Sequence, residues 1–321
     1  MLRYLLRRVL IAIPVLFGIS LVVYLLVNLQ PGDPFVGMVG PETTPAEKAE
    51  LLRRYGYDDP LVVQYLRWLM RALAGDLGYS LQQGRPVTAL IGERLGNTGL
   101  LAGAALALTL VVALPLGLFV GLRRNGGVDL AVSVLSFVLV SVPAFFLSML
   151  LIKVFAVDLR LLPTAGVTTI GADYHGLAHL RDVARHLVLP ASVLALGNIA
   201  VLNRYLRASV SELVDQDFIR GLFGRGIPRR RVIAPHILRN AARPLITIVS
   251  LEIPALLSSA LLTETIFNWP GIGRLSFEAV QGRDYPLLMG IVLFLAVVTL
   301  ACNLLADVLY ALVDPRVRLA P

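Results

Sequence analysis

Six stretches of this chain are apolar for long enough, with few or no charges, to confine it to a membrane. The first, Val9 to Leu29, is 21 residues without a charge. As a helix it reaches about 32 Å at roughly 1.5 Å per residue, enough to cross a hydrocarbon layer. Others follow at about 98 to 121, 130 to 157, 187 to 203, 245 to 263 and 287 to 312. Composition excludes a soluble domain, because 57% of residues are hydrophobic and only 16% charged, against roughly 25% charged in soluble proteins. Arg3, Arg7 and Arg8 precede the first run as in a signal peptide. The run is too long for one and no small-x-small cleavage site follows, so it is read as a retained span. The single Cys302 supports neither a disulfide framework nor a cysteine metal site.

Six spans put both termini on one side. Basic residues of short loops stay cytoplasmic, and they collect on the side of the amino terminus. They are Arg3, Arg7 and Arg8, then Arg123 and Arg124, then nine arginines from Arg204 to Arg243, then Arg316 and Arg318. The long segment Gln30 to Asn97 holds seven basic residues, but long loops escape the rule. The expected fold class is an all-α membrane protein of six transmembrane helices, both termini cytoplasmic, with a small helical ectodomain between spans 1 and 2. The expected divisions are a first span at 1–30, an extracytoplasmic helical segment at 31–97, a five-helix core at 98–314 containing an inner loop at 204–243, and a tail at 315–321. Pro14, Pro115, Pro143, Pro190 and Pro254 fall within spans, where neighbouring helices can re-satisfy the freed backbone groups. Gly103, Gly117, Gly121, Ser148, Ser258 and Ser259 are places where helices can approach closely.

In the outer segment, Pro31-Gly32-Asp33-Pro34 reads as a turn. Thr44-Pro45-Ala46-Glu47 reads as the start of a helix running to about Tyr55. Val62 to Ala74 is amphipathic and contains Trp68, a pattern suited to the membrane surface. Glu264 to Tyr285 is expected as an outer segment, with a cysteine at Ser276 open to an impermeant reagent. His175 and His179 lie four apart, but Gly176 interrupts them and no third ligand is evident, so a solvated loop is preferred to a metal site. Neither lysine, Lys48 nor Lys153, follows a glycine, so no phosphate-cradling nucleotide loop exists. The acids well inside apolar runs are Glu252 and Asp307, and neither sits in a catalytic constellation. The chain is read as not an enzyme, with no catalytic residue, no metal site and no nucleic-acid role.

The inner loop from Asn203 to Pro244 carries nine arginines against Glu212, Asp215 and Asp217, a net charge of +6. Charge alone suits anionic lipid, but this loop is also patterned. Val210 to Phe223 suits a helix, Gly224 and Gly226 allow a turn, and Pro228 suits the start of a second helix. With no soluble core in the chain to bury its apolar residues, another protein is the expected partner.

Asp217-Phe-Ile-Arg-Gly-Leu-Phe-Gly-Arg-Gly-Ile-Pro-Arg-Arg-Arg-Val-Ile-Ala-Pro-His-Ile-Leu-Arg-Asn-Ala-Ala-Arg-Pro244 resembles the EAA loop of binding-protein-dependent ABC importer permeases. The resemblance is nearest to the B-type subunit of the dipeptide/oligopeptide/nickel class, and it runs the whole length. It is carried by Met1 to Arg8, Pro31 to Pro34, Gly75-Asp-Leu-Gly-Tyr-Ser80, Leu162-Pro-Thr-Ala-Gly166, Glu264-Thr-Ile-Phe-Asn-Trp-Pro-Gly-Ile-Gly273, Arg283-Asp-Tyr-Pro286 and Asp314-Pro-Arg316. The resemblance implies a type I ABC importer permease fold in a bacterial or archaeal cytoplasmic (inner) membrane. Asp217, Phe218, Ile219 and Arg220 would form a coupling helix docking on an ATPase, Gly226 its turn, and His236, Arg239, Asn240 and Pro244 the return into the fifth span. Where the family usually has Thr-Ala-Arg-Ala-Lys-Gly, this chain has Gly221-Leu-Phe-Gly-Arg-Gly226.

Implied partners are a homologous second permease, two ATPase subunits or domains that hold ATP and Mg, an extracytoplasmic solute-binding protein, and membrane lipid. No cofactor is expected on this chain itself. Short peptides are the implied substrates, with nickel complexes and oligosaccharides handled by close relatives. Glu252, where the family more often has glutamine, is costly at a helix centre unless it faces a polar cavity or a partner. It is read either as a packed acid or as a pathway residue. An ATP-independent secondary transporter is the alternative, but no inverted repeat is apparent.

Overall fold

The structure, a computed structural model, describes residues 2–29, 44 and 59–313. The Pro31–Pro34 turn and the helix expected from Thr44 to Tyr55 lie outside the described residues, Thr44 excepted. The described chain is nearly all-helical, with one isolated β-bridge between Tyr79 and Pro86. It opens with α1 (Leu2–Leu29), α2 (Leu61–Leu73), α3 (Val87–Leu122), α4 (Gly127–Ser141) and α5 (Ala144–Leu151), which continues as a π-helical turn through Ile152–Asp158. Next come α6 (Leu177–Val214), α7 (Asp217–Gly224) and α8 (Arg229–Val232), then a second π-helical stretch, Ile233–Leu238. The chain finishes with α9 (Arg239–Ile266), α10 (Ile272–Gln281) and α11 (Tyr285–Val313).

Four helices are each long and apolar enough to cross a membrane, within α1, α3, α6 and α11. Two bent pairs meet the same test together, which allows up to six spans. One pair is α4 with α5 and its π-helical extension, bent by 105°. The run from 130 to 157 is therefore no straight rod. Its break falls at Val142, held extended at φ −80° and ψ 123°, because the ring of Pro143 disfavours helical backbone in the residue before it. Pro14, Pro115, Pro190 and Pro254 stay inside continuous helices. The second pair lies within α9, bent by 45° between Ile248–Leu256 and Ala260–Ile266, just beyond Pro254.

The chain divides into two compact units, Met1–Asn97 with Pro270–Leu300, and Thr98–Trp269 with Ala301–Pro321. The expected start of the core at 98 falls inside α3, which begins at Val87. In the first unit, Tyr24 and Val27 of α1 pack with Tyr65 of α2 and with Tyr285 and Met289 of α11. Ser20 Oγ and Tyr65 Oη share a 2.8 Å hydrogen bond. Beside them, Val87, Leu90 and Ile91 pack on Ile272, Leu275 and Leu287. Asp284, 1% exposed, accepts from Ser80 Oγ at 2.5 Å, Leu81 N at 3.1 Å and Gln82 N at 3.2 Å. Its carboxylate also takes Leu287 N at 3.3 Å and so caps α11. Asp284 and Ser80 belong to two of the segments that carry the family resemblance, and they form one lock. Ser276, expected to be accessible, is instead buried in α10 with its hydroxyl donated to Ile272 O at 2.9 Å. The amphipathic spacing that makes α10 a helix also turns Ser276 inward.

In the second unit, Gly117 and Gly121 of α3 face α6 one turn apart. A Cβ on Gly117 would lie 2.9 Å from Leu206 Cβ, and one on Gly121 2.7 Å from Val210 Cβ. This is the small-xxx-small contact that lets membrane helices close. Gly103, also expected as an approach point, meets nothing within 4 Å. Glu264 was expected outside the membrane at the start of a loop; it lies in the last turn of α9, fully buried, accepting from Thr98 Oγ1 at 2.7 Å. Gly166 N donates to Phe267 O at 2.8 Å, joining two more segments of the resemblance.

Gly121→Leu is expected to cost about 1–3 kcal/mol through overpacking against Val210. Gly103→Ala, with open space at its Cβ, should be neutral or slightly stabilising. Thermal unfolding of the two variants in detergent should separate them, and equal melting temperatures would contradict the close α3–α6 contact.

Candidate coupling site

The long helix α6 ends at Val214 because the chain turns at Asp215 and Gln216, with Gln216 extended at φ −69° and ψ 140°. The continuous helix expected from Val210 to Phe223 is thus split: Val210, Leu213 and Val214 close α6, and α7 begins at Asp217. The expectation that this loop lacks an internal core is also corrected. Ile219, fully buried, packs in one cluster with Leu206 and Val210 of α6, Val232 of α8, and Ala241 and Leu245 of α9. Leu222, Phe223 and Ile227 lie against the same cluster. A helix only eight residues long buries one face on the helices it joins and leaves the opposite one free. That free face carries Asp217, Phe218, Gly221 and Arg225, all exposed.

Of the residues singled out in sequence, Phe218 is therefore exposed while its neighbour Ile219 is fully buried. Arg220 is turned back on the chain, donating to Asp215 Oδ1 at 3.3 Å. Arg124, in the turn after α3, holds the same carboxylate with both guanidinium arms. The Arg124 hydrogen bond keeps the Asp215 carboxyl below the usual carboxylate range, with Arg220 adding to it against the cost of desolvation. Gly226 turns the chain at φ +74°, in the left-handed region that favours glycine. Pro228 then leads into α8. His236 lies in the π-helical stretch, and its carbonyl accepts from Asn240 Nδ2 at 2.6 Å. Arg239 is exposed, and Pro244 lies within α9.

A second ion pair went unnoticed in sequence. Asp129, in the first turn of α4, is 4% exposed. It accepts from Arg207 Nε at 2.5 Å and Nη2 at 2.6 Å, and from Asn125 N at 2.9 Å. Its signal was an acid at a helix start just after Gly126-Gly127, where the helix dipole favours negative charge. Together Asp129 and Asp215 fasten the turn between α3 and α4 to both ends of the last turns of α6.

Glu252 is half-buried in α9, two residues before the buried Pro254. No hydrogen bond or ion pair engages it among the described residues. His175 and His179 are exposed in different surroundings, His175 beside Asp173 at 3.1 Å and His179 on α6. Among the described residues no group of three potential ligands gathers.

The site is thus a basic loop joining long apolar helices, its short helix seated on two of them. The chain belongs to the family of binding-protein-dependent transport system inner membrane components, whose description matches residues 113–319. The amino-terminal part of the same class, a binding-protein-dependent transport system membrane component N-terminal region, matches residues 1–102. The chain is 38% identical over 319 residues to the oligopeptide transport system permease protein AppB of Bacillus subtilis, covering 99% of this chain and all, 100%, of that one. It is 35% identical over 336 residues to the dipeptide transport system permease protein DppB of Escherichia coli, covering 99% of each. It is also 35% identical over 319 residues to the glutathione transport system permease protein GsiC of Escherichia coli, again with 99% of each covered. In fold it is similar to a chain of the MetNI methionine ABC transporter solved in inward facing conformations. The TM-score is 0.58 at 14% identity, over 71% of this chain and 97% of that one. The protein is accordingly a multi-pass inner-membrane permease subunit of the type I importer fold, with ATP hydrolysis assigned to separate subunits.

Gly226→Val is expected to destabilise the α7–α8 turn by roughly 1–2 kcal/mol, the cost of left-handed backbone for a residue with a Cβ. Gly226→Asn should be much milder. The glycine has nothing within 4 Å of a Cβ, so the cost is conformational rather than steric. Hydrogen exchange at Ile219 to Ile227 should quicken in the valine variant alone, and equal exchange in both would contradict the assigned geometry.

Proposed function

We propose that this subunit forms half of the translocation pathway for short peptides, pairing with a homologous second permease in surrounding lipid. Two ATPase subunits holding ATP and Mg would dock from the cytoplasm, and a solute-binding protein would deliver substrate outside. The observation that carries the peptide reading is the full-length similarity to relatives named for oligopeptide, dipeptide and glutathione transport. Nickel or oligosaccharide import is the within-family option. Both termini are assigned to the cytoplasm from the arginine distribution.

Coupling is assigned to Asp217, Phe218, Ile219, Arg220 and Gly226, with His236, Arg239, Asn240 and Pro244 as the return. The exposed Phe218 supplies an apolar anchor for a groove on the ATPase, since such side chains carry binding energy once desolvated. Ile219 supplies the other half of the lever. Displacement of α7 is passed through its buried contacts to α6 and α9. Tightly packed interiors transmit such shifts rather than absorb them.

Glu252 is proposed to face the pathway. A carboxylate without a partner in the described chain, beside a bend in α9, fits a polar route better than lipid. It would favour the amino terminus or a cationic side chain of a peptide.

The assembled complex, reconstituted with its binding protein, should show ATPase activity stimulated by short peptides. Stimulation by nickel complexes or oligosaccharides in their place would overturn the peptide reading. Glu252→Gln should leave assembly and basal ATPase intact while lowering uptake of cationic relative to neutral peptides. Equal uptake ratios would make Glu252 a packing residue. For orientation, the exposed Gln281 replaces Ser276 as the probe position. Gln281→Cys in a Cys302→Ser background should react with an impermeant thiol reagent from outside, and reaction only from the cytoplasm would reverse the topology.

A further inference from the structure

Near the carboxyl end of α1 a cavity of about 280 Å³ opens between α1, α2 and the start of α11. Most of the polar side chains around it are already engaged. Asn28 Nδ2 donates to Tyr24 O at 2.8 Å, and Gln64 Nε2 to Asp59 O at 2.7 Å. Ser80 is committed to Asp284. Two donors in the wall are not engaged: Trp68 Nε1 and Tyr285 Oη are buried and have no hydrogen-bond partner among the described residues. Tyr285 as a whole is only 6% exposed. Buried polar atoms of this kind normally find a partner, and leaving one unmade is costly.

The surroundings say what the partner is. The cavity sits at the end of a span-length helix, where aromatic residues with one polar edge meet the membrane interface. Arg67 and Arg71 line its rim and, among the described residues, are paired with the exposed carboxylates of Asp59 and Asp76. Such surface pairs hold little energy, and each guanidinium retains free donors for a phosphate oxygen. The volume admits a glycerophosphate unit but not two acyl chains, so the chains must lie outside it.

We propose that this cavity is a phospholipid headgroup site, in which ester and phosphate oxygens accept from Trp68 Nε1 and Tyr285 Oη. Phosphodiester and ester oxygens are acceptors only, matching a wall whose free groups can both donate. The site is independent of what the transporter carries.

The test uses the purified assembled transporter and the isosteric variants Trp68→Phe and Tyr285→Phe, singly and together. Added phosphatidylglycerol should raise the melting temperature of the delipidated wild type, because a ligand bound only to the native state stabilises it. In native mass spectrometry the double variant should retain phospholipid roughly tenfold less well, the worth of two neutral hydrogen bonds. In lipid-free detergent the variants should melt at the same temperature as wild type or higher, since they shed unpaired buried polar atoms. That reversal of sign between lipid and detergent is the signature of the site. Equal lipid retention in variant and wild type would overturn the proposal, as would a melting temperature lowered in both media. Sn-glycerol 3-phosphate alone should give no stabilisation, and a shift equal to that of the lipid would overturn the lipid assignment in favour of a small-anion site.

Discussion

In hydrocarbon a backbone amide finds no water, so each apolar segment must satisfy its own hydrogen bonds, and this requirement decides the architecture. It makes the runs helical and confines irregular backbone to places where something else supplies a partner. Prolines show the rule at work. Pro14, Pro115 and Pro190 sit within helices that continue through them. Pro143 follows the extended Val142 and divides its run into two helices. Both outcomes remove one donor, but of these four prolines Pro143 alone marks a sharp bend, of 105°. Proline alone does not reveal which will happen, because the choice depends on what packs beside the freed carbonyl.

At the helix ends the requirement passes to side chains. Asp284, Glu264 and Asp129 are each nearly or fully buried, and each accepts hydrogen bonds from residues far away in sequence. A buried acid held by a hydroxyl, backbone amides or a guanidinium is tolerable, whereas removal of its partner leaves the full desolvation cost. These three positions therefore fix where loops return to the helices. Two of them, Asp284 and Glu264, lie in segments that carry the family resemblance, and Asp284 holds Ser80 of a third.

Much of this was legible in the sequence. Hydropathy located the spans, and loop patterning placed Gly226 at a turn that has positive φ and Pro228 at the entrance to α8. What was not legible were contacts across large separations, such as Ser80 with Asp284, or Asp129 with Arg207. Periodicity reports which face of a helix is apolar, not what covers it. For the same reason the inner loop was read as lacking a core, although Ile219 and Val232 find one on α6 and α9. Ser276 was misjudged likewise, since a serine in a polar-looking segment carries no mark of being turned inward.

The seating of α7 bears on how a permease of this family can move. A docking helix held only by flexible tethers would absorb displacement in its linkers. Here Ile219 is fully buried against two span-forming helices, and Asp215 ties the same corner to Arg124 beyond α3. The two attachments differ in kind. The apolar cluster resists separation but allows its side chains to slide, as packed helices do in shear motions. The Asp215 pairs are exposed, individually weak and screened by salt. The corner is thus held by a tightly packed apolar cluster on one side and by weaker, exposed ion pairs on the other. The departure Gly221-Leu-Phe-Gly-Arg-Gly226 from the usual family sequence fits that division. Its larger residues, Leu222 and Phe223, go to the inner cluster, while Gly221 and Gly224 are exposed. Among the described residues of α7, Phe218 is the exposed large apolar side chain.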